Sequence, residues 1–222
     1  MNIRSIINRY SPPPCLLCQA PQGPLCAPCQ ADLPWQTTAR CPVCALPTPT
    51  GDTCGHCLKE PPAYSRVHTV FTYAFPVDRL IQRLKYREHL AIASLMGELL
   101  AAQLQGEPPD VWLPMPLHAN RLRERGFNQA AEIARELSAR TAIPMQAGWA
   151  RRLRDTPPQA GLKREARKRN LRGAFACSAD IAGLHIGIVD DVMTTGSTLD
   201  ELARALRAAG AREVSCAVLA RA

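Results

Sequence analysis

Apolar and polar residues follow two different patterns along the chain, and the change falls near residue 67. Beyond it, short apolar runs typical of strands alternate with segments whose apolar residues recur every three or four positions, as in helices. In residues 1–60 few positions repeat with either period, and cysteine, proline and short polar spacers dominate. The sequence therefore predicts two units: a small cysteine-rich module over residues 1–62 and a larger α/β domain over residues 63–222.

The larger unit contains four predicted strands and four predicted helices. The strands are expected at 68–75, 111–114, 185–189 and 214–219. The helices are expected around Leu80, Ile81 and Leu84, and at 90–104, 127–139 and 198–209, with Gly210 as a left-handed C-cap. Strands that alternate with helices predict a mostly parallel sheet flanked by helices.

Cysteine spacing predicts two metal sites in the smaller unit. Eight of the ten cysteines fall in residues 15–57 as four C-x-x-C pairs. One such pair supplies two thiolates, and zinc takes four in a tetrahedron. We therefore expect two structural zinc ions. Their ligands are Cys15, Cys18, Cys26 and Cys29 at one site and Cys41, Cys44, Cys54 and Cys57 at the other.

Two alternatives remain for these cysteines. A cross-braced arrangement would join the first pair to the third and the second pair to the fourth. An iron–sulfur cluster is a weaker alternative to zinc. A redox-active C-x-x-C needs a thioredoxin-like βαβ setting, which this segment lacks.

A candidate anion site follows the third predicted strand. Residues 186–201 read IGIVDDVMTTGSTLDE, so two carboxylates, Asp190 and Asp191, precede a hydroxyl-rich loop that opens a helix. Loop amides and a helix N-terminus bind phosphate, and Gly196 allows close approach of the backbone. Carboxylates repel phosphate and should bind hydroxyls or a metal. A sugar phosphate would use both the carboxylates and the hydroxyl-rich loop. Capping of the helix by Thr198 and Glu201 would explain only the residues at the helix start and not the carboxylates.

This stretch resembles the phosphoribosyl-pyrophosphate (PRPP) loop of type I phosphoribosyltransferases. The resemblance implies that Asp190 and Asp191 are the catalytic pair and hold the ribose hydroxyls. It implies that the 5′-phosphate is bound by the loop residues Thr194, Thr195, Gly196, Ser197 and Thr198. Together with the cysteine pairs, residues 113–118 (LPMPLH) and 121–129 (RLRERGFNQ), the order is similar to the ComF/GntX family.

That resemblance implies further ligand contacts and partners. The pyrophosphate loop would run over residues 116–120, with Pro116, Leu117, Arg121 and Arg125 as ligands and Mg²⁺ bound with PRPP. ComF relatives are linked to natural competence and to incoming single-stranded DNA, beside a helicase partner. Some purine phosphoribosyltransferases have an Asp in this loop that acts as a base toward the nucleobase, and the corresponding residue here is Thr194. The loop therefore neither excludes catalysis nor identifies the acceptor.

The charge distribution favours a polyanion as a second ligand. Lys and Arg number 27 and Asp and Glu number 19, and residues 114–175 hold fourteen of the former and five of the latter. This segment includes the hood expected between residues 154 and 175. Few aromatic residues are present, so binding of single-stranded DNA should be weak and electrostatic. No apolar run reaches membrane-spanning length, and we expect a cytoplasmic protein.

The sequence thus predicts a ComF-like competence factor with a PRPP-binding fold that handles internalised single-stranded DNA. The alternative is an active PRPP-dependent phosphoribosyltransferase of nucleotide metabolism with no direct role in DNA. A third possibility is a zinc-dependent interaction module that carries a sugar-phosphate sensor.

Overall fold

A four-stranded parallel sheet forms the centre of the larger unit. The structure, a computed structural model, describes residues 13–84, 90–155 and 172–222. The strands are β1 (Val67–Thr72), β2 (Val111–Pro114), β5 (His185–Met193) and β6 (Glu213–Arg221), in the order β1-β6-β5-β2. Neighbouring strands all pair in parallel, so their carboxyl ends meet at one edge of the sheet. The predicted α/β class is confirmed.

Helices connect the strands and cover the sheet. They are α3 (Val77–Leu84), α4 (Leu90–Ala101), α5 (Ala119–Arg125), α6 (Gln129–Thr141) and α7 (Ser197–Ala208). The apolar face predicted for α6 is buried, with Ala130, Ile133, Ala134 and Leu137 turned inward. Helices α4 and α6 cross closely at Gly97, where an added Cβ would lie 2.5 Å from the Cβ of Glu136. Gly210 has the expected left-handed conformation, with φ +99°.

Two short strands form a separate antiparallel pair. They are β3 (Ala150–Arg152) and β4 (Phe175–Cys177), with Arg152 opposite Phe175. The segment that joins them includes residues 156–171, so most of the expected hood lies outside the described residues. Its two ends nevertheless leave and re-enter the fold side by side.

The described part of the cysteine-rich module packs directly on the larger unit. It carries two short helices, α1 (Ala27–Ala31) and α2 (Gly55–Lys59). Leu33 joins the apolar cluster around Phe71, and the rings of Trp35 and Phe71 lie 4.9 Å apart. Ala45 and the sulfurs of the second group of cysteines join the cluster on the other side of the sheet. Apolar residues of the module are therefore buried against the sheet and not in a core of the module's own, as expected for a segment without apolar periodicity.

Candidate functional site

The carboxylate pair lies where β5 reaches the carboxyl edge of the sheet. β5 continues to Met193, four residues beyond the predicted end, because β6 keeps pairing with it as far as Arg221. Asp191 is 9% exposed, whereas Asp190 is partly exposed. One oxygen of each carboxylate accepts a backbone N–H of the next residue, Asp191 at 2.9 Å and Val192 at 2.8 Å. These bonds hold both side chains in place at the strand end.

A glutamine connects this pair to one of the predicted arginine ligands. Gln129, buried at the start of α6, donates from Nε2 to Asp191 at 3.2 Å. Its carbonyl oxygen accepts a hydrogen bond from Nη1 of Arg125. The structure therefore brings Asp191 and Arg125 together through Gln129, a residue that the sequence analysis placed only within a motif.

The charge of a second arginine, Arg152, acts on Asp190. Burial raises the pKa of Asp190 well above its usual range, the charge of Asp191 raises it further, and the nearby Arg152 guanidinium opposes both. Arg152 packs over the ring of Phe175, with 5.7 Å from its guanidinium carbon to the ring centroid. In the sequence, Arg152 is only one of the fourteen basic residues of 114–175. The structure places it at the carboxylate pair, at the start of the expected hood.

The hydroxyl-rich loop follows immediately and opens α7. Gly196 is the N-cap residue, with φ +77°, and the helix begins at Ser197. The hydroxyls of Thr195 and Ser197 lie 3.0 Å apart, and the Asp200 amide bonds the Gly196 carbonyl at 2.9 Å. The proposed capping box is wrong, because the left-handed glycine starts the helix before Thr198. Glu201 instead accepts the amide of Gly173 at 2.6 Å.

The predicted pyrophosphate loop lies at the end of the neighbouring strand. The amide of Met115 donates to the Val189 carbonyl at 2.8 Å, so the chain reaches Pro116 beside the carboxylate pair. Pro116 is buried and Leu117 is half-buried. His118 caps α5 through the amide of Asn120 at 3.3 Å. Arg121, 40% exposed, lies 3.5 Å from Glu124 on the same helix.

Both predicted cysteine sites exist in the sequential arrangement. Cys15, Cys18, Cys26 and Cys29 form the first cysteine cluster, and Cys41, Cys44, Cys54 and Cys57 form the second; within each, the sulfurs lie within 4.8 Å of one another. The cross-braced alternative is therefore wrong.

In each cluster, backbone amides favour ionisation of the first cysteine. Burial alone would raise the pKa of Cys15, but the amides of Cys18, Cys26 and Leu17 lower it to about 6. Burial opposes ionisation of Cys41 in the same way, and the amides of Cys54, Cys44 and Val43 lower its pKa to about 7. Four sulfurs fill a tetrahedron and leave no position for a reactant, so both sites fit structural zinc.

A cavity of about 430 Å³ separates the second cysteine cluster from the hydroxyl-rich loop. Its walls include Cys44, Cys57 and Tyr64 on one side and Thr194 to Ser197 on the other. The loop is therefore bounded by the carboxylate pair in one direction and by the cysteine-rich module in another.

Two family models match this chain. The model described as "Double zinc ribbon domain" matches residues 6–58, and the model described as "Phosphoribosyl transferase domain" matches residues 122–222. The chain is thus a double zinc ribbon joined to a phosphoribosyltransferase domain. Among solved structures, a glutamine PRPP amidotransferase from B. subtilis is similar at 21% identity and a TM-score of 0.44, over 62% of this chain and 30% of that one.

Curated relatives place it more narrowly. The DNA utilization protein YhgH of Shigella flexneri is 36% identical, over 93% of this chain and 96% of its own. Competence protein F of Haemophilus influenzae is 34% identical, over 76% and 78%. Competence protein ComFC of Bacillus subtilis is 27% identical, over 84% and 79%. The chain belongs to the ComF/GntX family.

Other expectations concern the basic segment and membranes. Arg151, Arg154 and Arg172 are exposed or nearly so, whereas the richest run of positive charge lies in residues 156–171, outside the described part. Within the described ranges, no helix combines the length and apolarity that crossing a bilayer requires.

Proposed function

We propose that the carboxyl edge of the sheet binds PRPP. Asp190 and Asp191 accept the ribose hydroxyls, and the loop from Thr194 to Thr198 receives the 5′-phosphate. One observation carries this proposal. Two carboxylates, Asp190 and Asp191, lie near the end of the buried strand β5, and a backbone N–H holds the first of them. Only residues 192–195 separate this pair from Gly196, the left-handed residue at which α7 begins. A ligand with a diol and a phosphate uses both.

The surroundings of the carboxylate pair support an anionic sugar ligand. Gln129 fixes one oxygen of Asp191, so the carboxylate is oriented before ligand arrives. Arg152 beside Asp190 and Arg125 beside Gln129 supply positive charge at the same edge. PRPP carries more negative charge than one loop neutralises, and such charges attract it to the edge.

The pyrophosphate group is assigned to the segment from Pro116 to Asn120, with Arg121 and Arg125 next to it. This segment begins at the end of β2, adjacent to the carboxylate pair at the end of β5. Carboxylate and phosphate oxygens are the ligands that Mg²⁺ prefers, so the donors at this edge fit a magnesium-bound pyrophosphate.

We assign the chain a ComF-like role in handling internalised single-stranded DNA in the cytoplasm, with a helicase as protein partner. The support is that relatives over most of the chain are named for DNA utilization and competence. The excess of fourteen Lys and Arg over five Asp and Glu in residues 114–175 supports contact with a polyanion.

The match of residues 122–222 to a phosphoribosyl transferase domain favours a second candidate, an active transferase. In that case, attack at the ribose C1′ releases pyrophosphate. Incubation of the protein with Mg²⁺, PRPP and candidate acceptors, with pyrophosphate measured over time, distinguishes a transferase from a protein that only binds PRPP.

Titration calorimetry with PRPP and Mg²⁺ tests the binding site. Replacing both carboxylates, Asp190→Asn with Asp191→Asn, removes the acceptors for the diol and should weaken binding about tenfold or more, about 1.4 kcal/mol. A matched control replaces two exposed carboxylates elsewhere, Asp52→Asn with Asp180→Asn, and should leave affinity unchanged. Equal affinity of the wild type and the Asp190/Asp191 variant would refute the assignment.

A further inference from the structure

The two cysteine clusters dock on different parts of the fold. Near the first cluster, Arg83 of α3 donates to the Leu16 carbonyl at 2.7 Å, and Leu16, Leu17 and Leu25 pack on the apolar cluster around α3. The second cluster lies instead across the cavity from the loop that opens α7. The two metal sites are therefore alike in chemistry but differ in what they support.

One side chain joins the second cluster to the loop. Arg221, at the end of β6, is 6% exposed. Its Nε donates to the carbonyl of the ligand Cys44 at 3.0 Å, and its Nη1 donates to the carbonyl of Met193 at 3.2 Å and to that of Thr194. A planar guanidinium has donors in a fixed fork, so it sets the position of one group of carbonyls relative to another. The start of the loop is thus tied to the backbone of a metal ligand.

The connection between the module and the sheet makes a second contact with the loop. The amide of Ala63 donates to Asp200 in the first turn of α7 at 2.7 Å. The next residue, Tyr64, is 5% exposed, and its hydroxyl lies 3.0 Å from the point where a Cβ on Gly196 would stand. Cys44, Cys57 and Tyr64 line the same cavity as the loop residues. The left-handed turn at Gly196 is therefore packed against a residue that itself lies beside the second cluster.

We propose that the second cysteine cluster, when it holds zinc, positions the phosphate loop through Arg221, and that metal occupancy of this site sets the affinity of the loop for its ligand. Arg221 is a positioning residue that need not touch the ligand. Loss of zinc from the second cluster releases the Cys44 carbonyl, so Arg221 no longer holds Met193 and Thr194 in register. Loss of zinc from the first cluster leaves this connection intact. The consequence for PRPP rests on the proposed function, whereas the effect on loop order does not.

Paired ligand variants separate the two clusters. Cys54→Ser removes a half-exposed ligand of the second cluster, and Cys18→Ser removes an exposed ligand of the first. The zinc content measured by metal analysis should fall from about two ions per chain in the wild type to about one in each variant. Hydrogen exchange of the amides in residues 194–199 should accelerate in Cys54→Ser and stay at the wild-type rate in Cys18→Ser. Affinity for PRPP should drop about tenfold in the former alone.

A second pair of variants tests the arginine without touching the metal ligands. Arg221→Met removes the connection. Arg40→Met is the matched control, because Arg40 also connects the second cysteine cluster to the sheet. It donates to the carbonyl of Ala45, next to Cys44, at 3.0 Å and to Thr72 of β1 at 3.1 Å. Arg221→Met should keep two zinc ions, speed exchange in residues 194–199 and weaken PRPP binding. Arg221→Lys, which keeps a donor, should recover part of the affinity, a result that a purely structural loss would not give.

Two outcomes overturn the proposal. One is equal loop exchange in Cys54→Ser and Cys18→Ser. The other is Arg221→Met with wild-type loop exchange. If the wild-type protein fails to bind PRPP while loop exchange still follows the second cluster, the PRPP assignment fails and the coupling stands.

Discussion

At the scale of single residues, the carboxylate pair combines a cost in stability with a role in binding. Burial and the charge of Asp191 raise the pKa of Asp190, and Arg152 only partly offsets them. A carboxyl whose pKa is raised by folding binds its proton more tightly in the folded state. It therefore stabilises the protein below its unfolded pKa, about 3.9, and this contribution is lost as the pH rises through the folded pKa.

Asp190→Asn should consequently raise the free energy of unfolding at neutral and alkaline pH while it weakens PRPP binding. The gain should be absent near pH 4 and grow as the pH rises, because only the wild type then carries a negative charge that its surroundings in the folded state disfavour. Urea unfolding at a series of pH values measures it, with the exposed Asp32→Asn as control. A variant that is less stable than the wild type at pH 8 would show that Arg152 outweighs burial.

At the scale of elements, the loop between β5 and α7 depends on one glycine. Gly196 has φ +77°, and a Cβ there would approach Met193 Cε to 2.6 Å and Tyr64 Oη to 3.0 Å. Met193 Cε is the end of a flexible side chain and can move, whereas the Tyr64 ring is buried. The left-handed conformation is unfavourable for any residue with a Cβ.

Gly196→Ala should therefore destabilise the protein by about 1–2 kcal/mol and weaken PRPP binding. Gly148→Ala is the matched control, because nothing lies within 4 Å of its added Cβ and its φ is not in the left-handed region. Denaturant unfolding and calorimetry on both variants give the comparison. Wild-type affinity in Gly196→Ala would mean that the loop backbone does not approach the ligand closely.

Elements with an apolar face could be predicted from the sequence, and those without one could not. The buried positions of α3 and α6 recur with helical spacing, and β2 matches its predicted range. Helix α5 was missed because it has no buried residue. The end of β5 was misplaced because two aspartates interrupt its apolar run while β6 continues to pair with it.

Some residues of the candidate site could likewise be predicted from the sequence, and others could not. Asp190, Asp191 and the loop residues are adjacent in sequence, so their pattern is visible there. Gln129 and Arg221 act on residues about 62 and 177 positions away, and only the folded chain brings them together. One signal was available for Arg221: it is a charged residue in a strand that is otherwise apolar from Cys216 to Ala220.

At the scale of the whole molecule, positive charge is concentrated in one segment of the sequence. Residues 114–175 carry the whole net positive charge, and the rest of the chain is nearly neutral. Within this segment, Arg152 packs over the ring of Phe175, and its positive charge acts on Asp190. PRPP and single-stranded DNA are therefore expected to compete for some of the same side chains.

Binding of labelled single-stranded oligonucleotides should be weak, insensitive to sequence and strongly dependent on salt. Each phosphate contact contributes about −0.7 to the slope of log affinity against log salt, so several contacts give a slope steeper than about −2. Replacing Arg164, Arg167, Lys168 and Arg169 with Ala should flatten the slope and weaken all sequences alike. Absence of binding at low salt, with PRPP binding intact, would remove DNA from the direct mechanism.

Hydrogen exchange with and without PRPP and Mg²⁺ locates the ligand most directly. We expect slower exchange in residues 189–199, where the carboxylate pair and the phosphate loop lie, and in residues 115–125, where the pyrophosphate is assigned. Residues 13–33 around the first cysteine cluster should exchange as before. Binding of PRPP that leaves exchange in residues 189–199 unchanged would show that the ligand binds elsewhere than at the carboxylate pair and the phosphate loop.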